Sequence, residues 1–224
     1  MKRNIYVVGG WGQEYANWME GKIVPTMEEA DLVLFTGGED VDPTMYGEPR
    51  NPRTYSSLER DIAEQKEWRK AIALDKRIIG ICRGSQFACV MSGGRLVQHQ
   101  ENNNFYHDIS TFDGKTLSIT STHHQAQYPW NLPEDDYKII GWTQGLSRMH
   151  EDGEGKELPE AANKECEIVY YKKTRALGIQ GHPEMMFDPN HPTIKWLRSI
   201  LDQHMLGLLG GDEVIPAGAE TANV

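Results

Sequence analysis

The stretch that decides the fold is Arg77-Ile78-Ile79-Gly80-Ile81-Cys82-Arg83-Gly84-Ser85-Gln86. Ile78, Ile79 and Ile81 make a short apolar run that reads as a buried strand. Phe87-Ala88-Cys89-Val90-Met91 continues as an apolar helix, so the chain turns from strand to helix across Gly80-Ile81-Cys82-Arg83-Gly84. This is a G-x-C-x-G pattern, the thiol counterpart of the G-x-S-x-G nucleophile elbow. Both glycines have a mechanical task, because a helix that packs close to the preceding strand leaves no space for Cβ atoms beside the turn. The turn also sets the sulfur at a helix N-terminus, where the positive end of the backbone dipole favours thiolate over thiol. A free thiol with a pKa of ~8.5 is only a few per cent ionised at pH 7, so that help matters. The competing reading of Cys82 is a core cysteine at a strand end.

Working outward, short apolar strands alternate with helices. Ile5-Tyr6-Val7-Val8 is a strand, Gln13 to Glu20 a helix with Tyr15, Trp18 and Met19 on one face, and Lys22-Ile23-Val24 a second strand. Thr26 with Glu29 has the spacing of a capping box, which predicts a helix start. Asp31 to Thr36 is a buried strand stopped by Gly37-Gly38, and Leu58 to Leu74 a long helix leading into the elbow. This alternation predicts a mostly parallel sheet with helices on both faces.

The second half differs. Gly94 to Thr122 suits short, partly antiparallel strands, notably Thr116 to Thr120, with further strands at Tyr137–Trp142, Glu167–Tyr171 and Ala176–Gln180. Glu151 to Lys164 is polar and reads as a surface loop, and Thr193 to Leu206 as an amphipathic closing helix. One domain over residues 1–209 and a disordered acidic tail over 210–224 complete the organisation. Trp11, Trp130, Trp142 and Trp196 read as packing residues.

A chain of 224 residues suits a single α/β domain with a proper core. Its three cysteines, Cys82, Cys89 and Cys166, lack metal-ligand spacing and argue against a disulfide framework, which points to a reducing cytoplasm. Cys89 falls on the same helix face as Cys82 and reads as buried and inert. No signal-peptide pattern or membrane-spanning stretch is present. The net charge of −10 argues against nucleic-acid binding, which needs clustered Lys and Arg.

Cys82 needs a base. His182 follows the strand Ala176–Gln180 at its C-terminal end, where open α/β sheets keep their active sites. Glu184 lies two residues on, with Pro183 stiffening the link, so that one imidazole nitrogen can meet a carboxylate while the other faces the thiol.

Gly37-Gly38-Glu39-Asp40-Val41-Asp42-Pro43 with Tyr46-Gly47-Glu48, Arg60-Asp61, Gly80 to Gln86, His123-His124-Gln125 and Gly178 to Glu184 occur in one order along the chain. In them the sequence resembles the class I glutamine amidotransferases, and more closely their γ-glutamyl hydrolase relatives. The resemblance implies a flavodoxin-like sheet, a Cys82-His182-Glu184 triad and attack on the side-chain amide of glutamine or a γ-glutamyl compound. It places the oxyanion hole at the backbone N–H groups of Gly38 and Arg83, and substrate contacts at Gln86, His123, His124 and Gln125. Asp40, Asp42, Arg60 and Asp61 read as structural, as turn caps and an ion pair holding the Pro-rich loop, since carboxylates this near would repel an anionic substrate. Neither metal nor organic cofactor is required by such chemistry.

Gly181 stands where many relatives carry a bulkier residue, which would open or reshape the pocket. Three functions stay open: a free-standing hydrolase of γ-glutamyl amines or peptides, an ammonia-supplying subunit working with a separate synthetase, and a catalytically idle binding domain of the same fold. A small-molecule substrate is common to the first two, and a homo-oligomer is compatible with each.

Overall fold

The computed structural model describes residues 3–10, 12–101 and 105–210. Trp11 and residues 211–224, the bulk of the expected tail, lie outside the described residues. The strands are β1 Arg3–Val8, β2 Gly21–Ile23, β3 Leu32–Phe35, β4 Arg77–Ile81, β5 Arg95–Val97, β6 His99–Gln100 and β7 Tyr106–Thr111. They continue with β8 Thr116–Thr120, β9 Ala126–Tyr128, β10 Tyr137–Thr143, β11 His150–Glu151, β12 Glu165–Tyr171 and β13 Ala176–Ile179. The helices are α1 Gln13–Trp18, α2 Leu58–Ala73, α3 Arg83–Met91, α4 Pro159–Asn163 and α5 Pro192–Met205.

One mixed sheet runs β2-β1-β3-β4-β13-β12-β10-β7-β8. The first five strands pair in parallel, with β4 between β3 and β13. From β12 onward the pairing is antiparallel, and β5 and β9 branch from it. The chain therefore has the expected α/β fold, with antiparallel strands supplied by its second half. Alternate side chains of each parallel strand feed opposite faces, as the period of two requires. Leu32, Leu34, Ile79 and Ile81 join Ile194, Leu197, Ile200 and Leu201 of α5 in one core. Val33, Phe35 and Ile78 join Trp68 of α2 and Phe87 of α3 in the other. Rings of Phe35, Trp68 and Phe87 meet there at 5.4–6.0 Å. Each fully buried apolar side chain is worth about 1.5–3 kcal/mol, so both faces of β3 and β4 are firmly held.

Two expectations fail. No helix follows Thr26; its hydroxyl bonds Glu29 Oε1 at 3.0 Å in a turn, because the span from Ile23 to Leu32 is too short for a helix between strands. The Glu151–Lys164 stretch is not wholly loop either. It carries the end of β11 and the one-turn helix α4, docked by buried Leu158 and Ala161 against Val97, Ala126 and Tyr128. Two apolar residues in a polar run are too few to show a period.

The parallel half brings the elbow to the C-terminal edge of the sheet, and its glycines are dictated by contact. A Cβ on Gly84 would collide with the backbone carbonyl of Phe35, and one on Gly80 with the backbone of Gly84. Gly84→Ala is therefore expected to destabilise the chain by about 1–3 kcal/mol, the range for an overpacked core. Thermal unfolding should show a loss of roughly 2–4 °C per kcal/mol. An unchanged melting temperature would mean that α3 is free to shift away from β3.

Candidate active site

Cys82 ends β4 and caps α3 with φ +52° and ψ −112°. A non-glycine residue in such a region costs about 1–3 kcal/mol and persists only where its surroundings fix it. Here its N–H donates to Ile179 O at 2.8 Å and its carbonyl accepts from Ser85 and Gln86. The side chain is buried apart from 7% and lines a cavity of about 360 Å³.

His182 follows β13 and lines the same cavity. Its backbone is tied to β8 by His182 N–H to Thr120 O at 3.1 Å and by the Thr120 hydroxyl to His182 O at 2.6 Å. Nδ1 meets Glu184 Oε1 at 2.6 Å across the turn that Pro183 begins. Nε2 is thus the nitrogen left for chemistry, and it meets the Thr122 hydroxyl at 2.8 Å. Burial works to lower the imidazole pKa, but hydrogen bonds and charges from Cys82 and Glu184 outweigh it and raise the ring to about 10. The ring is therefore built to hold a proton between a sulfur and a carboxylate.

The Gly37-Gly38 turn packs on this pair. A Cβ on Gly37 would lie 3.6 Å from His182 Cε1 and 3.7 Å from Cys82 Cβ. Gly38 has φ +144°, open in practice to glycine alone, and a Cβ there would run into the Arg60 guanidinium. Arg83 follows Cys82 and does not line the cavity. As the first residue of α3 its N–H has no acceptor within the helix. Its buried side chain pairs with Asp61 and Glu64 of α2 and lies over the Phe87 ring at 4.9 Å. Glu64 also holds Arg60 at 2.8 Å, whose guanidinium donates to Gly37 O at 3.0 Å. Asp61 takes the Asp42 N–H at 2.8 Å. Asp42, Arg60 and Asp61 are structural as expected, although Asp42 pairs with Arg50, Arg60 with Glu64, and Asp61 with Arg83.

The expected substrate contacts divide. Gln86 and His123 line the cavity, as does His124, whose Nε2 lies 3.2 Å from Asp40 Oδ2. Burial lowers the His123 pKa, which keeps that ring neutral. Gln125 does not line it. It is fully buried behind the wall, where its amide donates to Thr54 Oγ1 at 3.0 Å. Its carbonyl receives Gln86 Nε2 at 2.9 Å and meets His123 Nδ1 at 2.8 Å, so it aims its neighbours. Gly181 does not open the pocket either. A Cβ there would approach Thr120 O to 2.6 Å and the Ile119 side chain to 2.7 Å, so it permits the β8 contact that anchors His182.

Five residues escaped the sequence reading. Thr122 was hidden beside His123-His124-Gln125, and Asp40, taken as structural, lines the cavity together with Glu39 and Tyr55. Tyr15 was read only as part of a helix face. Its hydroxyl accepts the Gly37 N–H at 3.3 Å, and burial followed by the Glu184 charge pushes its pKa to about 12.

The other two thiols are sealed. Burial raises Cys89 to about 12 and Cys166 well above its ordinary value. A small alkylating agent at neutral pH is therefore expected to modify one thiol of the folded chain, mapped by peptide mass to Cys82. Equal labelling of Cys89 or Cys166 would contradict the placement.

Comparison with known proteins finds relatives in sequence and in fold. The Peptidase C26 family model aligns with residues 16–127, half of the chain. A glutamine amidotransferase-like protein of Lactococcus lactis, YvdE, is 29% identical over 173 residues, 72% of this chain and 69% of that protein. A glutamine amidotransferase of Thermotoga maritima superposes with a TM-score of 0.59 at 12% identity, covering 92% and 99% of the two chains. The glutaminase domain of Trypanosoma brucei CTPS, solved with bound acivicin, superposes with a TM-score of 0.56 at 11% identity, covering 92% and 94%. These last two share the fold. By the family model over half of its length, the chain belongs to the Peptidase C26 family, among class I glutamine amidotransferase-like proteins.

Proposed function

We propose that the chain is a cysteine amidohydrolase that cleaves the γ-amide of glutamine or of a γ-glutamyl amine through a thioester on Cys82. The observation that carries this reading is Cys82 at φ +52° in a cavity shared with His182, itself fixed on Glu184 at 2.6 Å. His182 takes the thiol proton and the sulfur attacks the γ-carbonyl carbon. The backbone N–H groups of Gly38 and Arg83 receive the oxyanion, the electrostatic contribution that weighs most in acyl transfer. His182 passes its proton to the departing nitrogen, the C–N bond breaks, and ammonia or an amine leaves. Water deprotonated by the same imidazole then releases glutamate and restores the thiol. Glu184 keeps the ring in the productive tautomer and stabilises the imidazolium. Gln86 and His123 face the glutamyl group from the cavity wall.

A second reading, an ammonia-supplying subunit of a separate synthetase, draws support from the name of the YvdE relative. Both share the thioester and differ in the preferred leaving group. An idle binding domain has no use for a strained cysteine held beside an imidazole of raised pKa.

His182→Ala should abolish turnover about as completely as Cys82→Ala, because nucleophile and base act as one unit. Glu184→Gln should cost less, since an amide still orients the ring. Glutamate release by the purified variants measures both, and near-normal turnover by His182→Ala would assign the base elsewhere, first to His123.

Substrate preference separates the two readings. A hydrolase favours γ-glutamyl amines over glutamine in kcat/KM. A tenfold preference for glutamine, about 1.4 kcal/mol in transition-state binding, would instead select the ammonia-supplying subunit.

A further inference from the structure

The cavity around Cys82 is walled in part by two carboxylates, Glu39 and Asp40. Glu39 is half-buried, lines the cavity and makes no hydrogen bond or ion pair among the described residues. Asp40 spends Oδ2 on the Tyr55 N–H at 2.8 Å and on His124 at 3.2 Å, while Oδ1 takes no partner. Among the described residues neither lysine nor arginine lines the cavity. Arg60, close behind Gly38, is committed to Glu64 and to Gly37 O. His124 stands against Asp40 alone, so Glu39 remains uncompensated. Beside these groups Tyr55 lines the cavity with 76% of its surface exposed, an aromatic face of the kind that attracts ammonium groups.

A γ-glutamyl group cannot by itself answer that wall. It is a zwitterion, and its α-carboxylate would be repelled as its α-ammonium is attracted. It also has another acceptor available, since Gln86 lines the cavity, is 2% exposed, and leaves Oε1 without a partner. A carbonyl oxygen buried and unmatched one helical turn beyond the nucleophile suits the α-ammonium of the glutamyl half. The carboxylates of Glu39 and Asp40 are then free for a second positive charge.

Building on the hydrolase reading above, we infer that Glu39, Asp40 and Tyr55 form a subsite for an ammonium group on the leaving amine. The preferred substrate is the γ-glutamyl amide of a diamine or polyamine. The distal ammonium keeps its proton throughout. The scissile nitrogen takes the His182 proton as the C–N bond breaks, and water later replaces the sulfur, so one amide and one water give glutamate and the free diamine. Conjugates whose leaving group carries a carboxylate are disfavoured by the same wall.

The test uses three γ-glutamyl conjugates of similar length, made with diaminobutane, butylamine and aminobutanoate. Two carboxylates and an aromatic face acting together should favour the diaminobutane conjugate over the butylamine one by about tenfold in kcat/KM, and over the aminobutanoate one by more. Glu39→Gln should bring the first ratio below about three; Glu39 has no partner, so its loss leaves the local packing intact. Calorimetry with Cys82→Ala should show the same order in affinity, which reads the subsite without turnover. Ratios near one in both measurements would overturn it, while turnover of the butylamine conjugate would still support the hydrolase reading. Equal weakening of all three conjugates by Glu39→Gln and Asp40→Asn would also overturn it, by assigning the carboxylates to the shared glutamyl half. The tenfold order in calorimetry with no turnover of any conjugate would uphold the subsite and remove the hydrolase reading instead.

Discussion

A cysteine at φ +52° and ψ −112° depends on everything packed around it. Relaxing the strain would swing the sulfur away from His182, and three contacts prevent this. The N–H of Cys82 is taken by Ile179 on β13, the neighbouring parallel strand. The helix behind it lies so close that Gly80 and Gly84 admit no Cβ. Its first residue, Arg83, is pinned through a buried guanidinium to Asp61 and Glu64 of α2. Replacing such an ion cluster with apolar groups need not destabilise a protein, whereas removing one partner leaves a buried charge exposed to a low dielectric. Its worth here lies in position. Through Glu64 and Arg60 the same cluster reaches the carbonyl of Gly37, so elbow and glycine turn are set by one network.

The electrostatics of the site follow from this placement. Two strands, β4 and β13, lie side by side and are followed by Cys82 and His182. The imidazole between sulfur and carboxylate is raised to about 10, whereas buried His123 in the same wall is lowered. Two histidines in one cavity are thus shifted in opposite directions, one by a sulfur and a carboxylate and the other by burial. Such separation is how a site assigns proton transfer to one ring and leaves the other a neutral contact. Tyr15 adds a further tie, bridging from the Gly37 N–H toward Glu184 on the far side of the triad.

Much of this was legible in the chain, because the decisive features are local. The elbow announces itself through glycine spacing, since close helix–strand contact excludes every other residue there. His182-Pro183-Glu184 is legible for the same reason: two residues and a proline suffice to set an imidazole against a carboxylate. What was hidden is what the fold brings from afar. Tyr15 lies on a short helix whose apolar pattern says only that one face is buried. Thr122 reaches His182 because the end of β8 docks beside the residues that follow β13, a contact without sequence signature. Asp40 and Gln125 show the converse error. A carboxylate in an Asp-Val-Asp-Pro turn looks like a cap, and Asp40 does hold the Tyr55 N–H but also lines the cavity, while a glutamine in a polar run looks like a contact and instead stands behind the wall. Gly181 seemed to open space, but its missing Cβ is what lets β8 come near.

Thioester formation on Cys82 is the step on which the functional reading stands. The most direct measurement is the intact mass of the chain, acid-quenched during turnover of a γ-glutamyl amide, with the modified peptide mapped. The expected result is a glutamyl adduct confined to the peptide bearing Cys82 and absent from Cys82→Ala, which should also release no glutamate. Steady glutamate release by Cys82→Ala, or an adduct carried on Cys89 or Cys166, would contradict it.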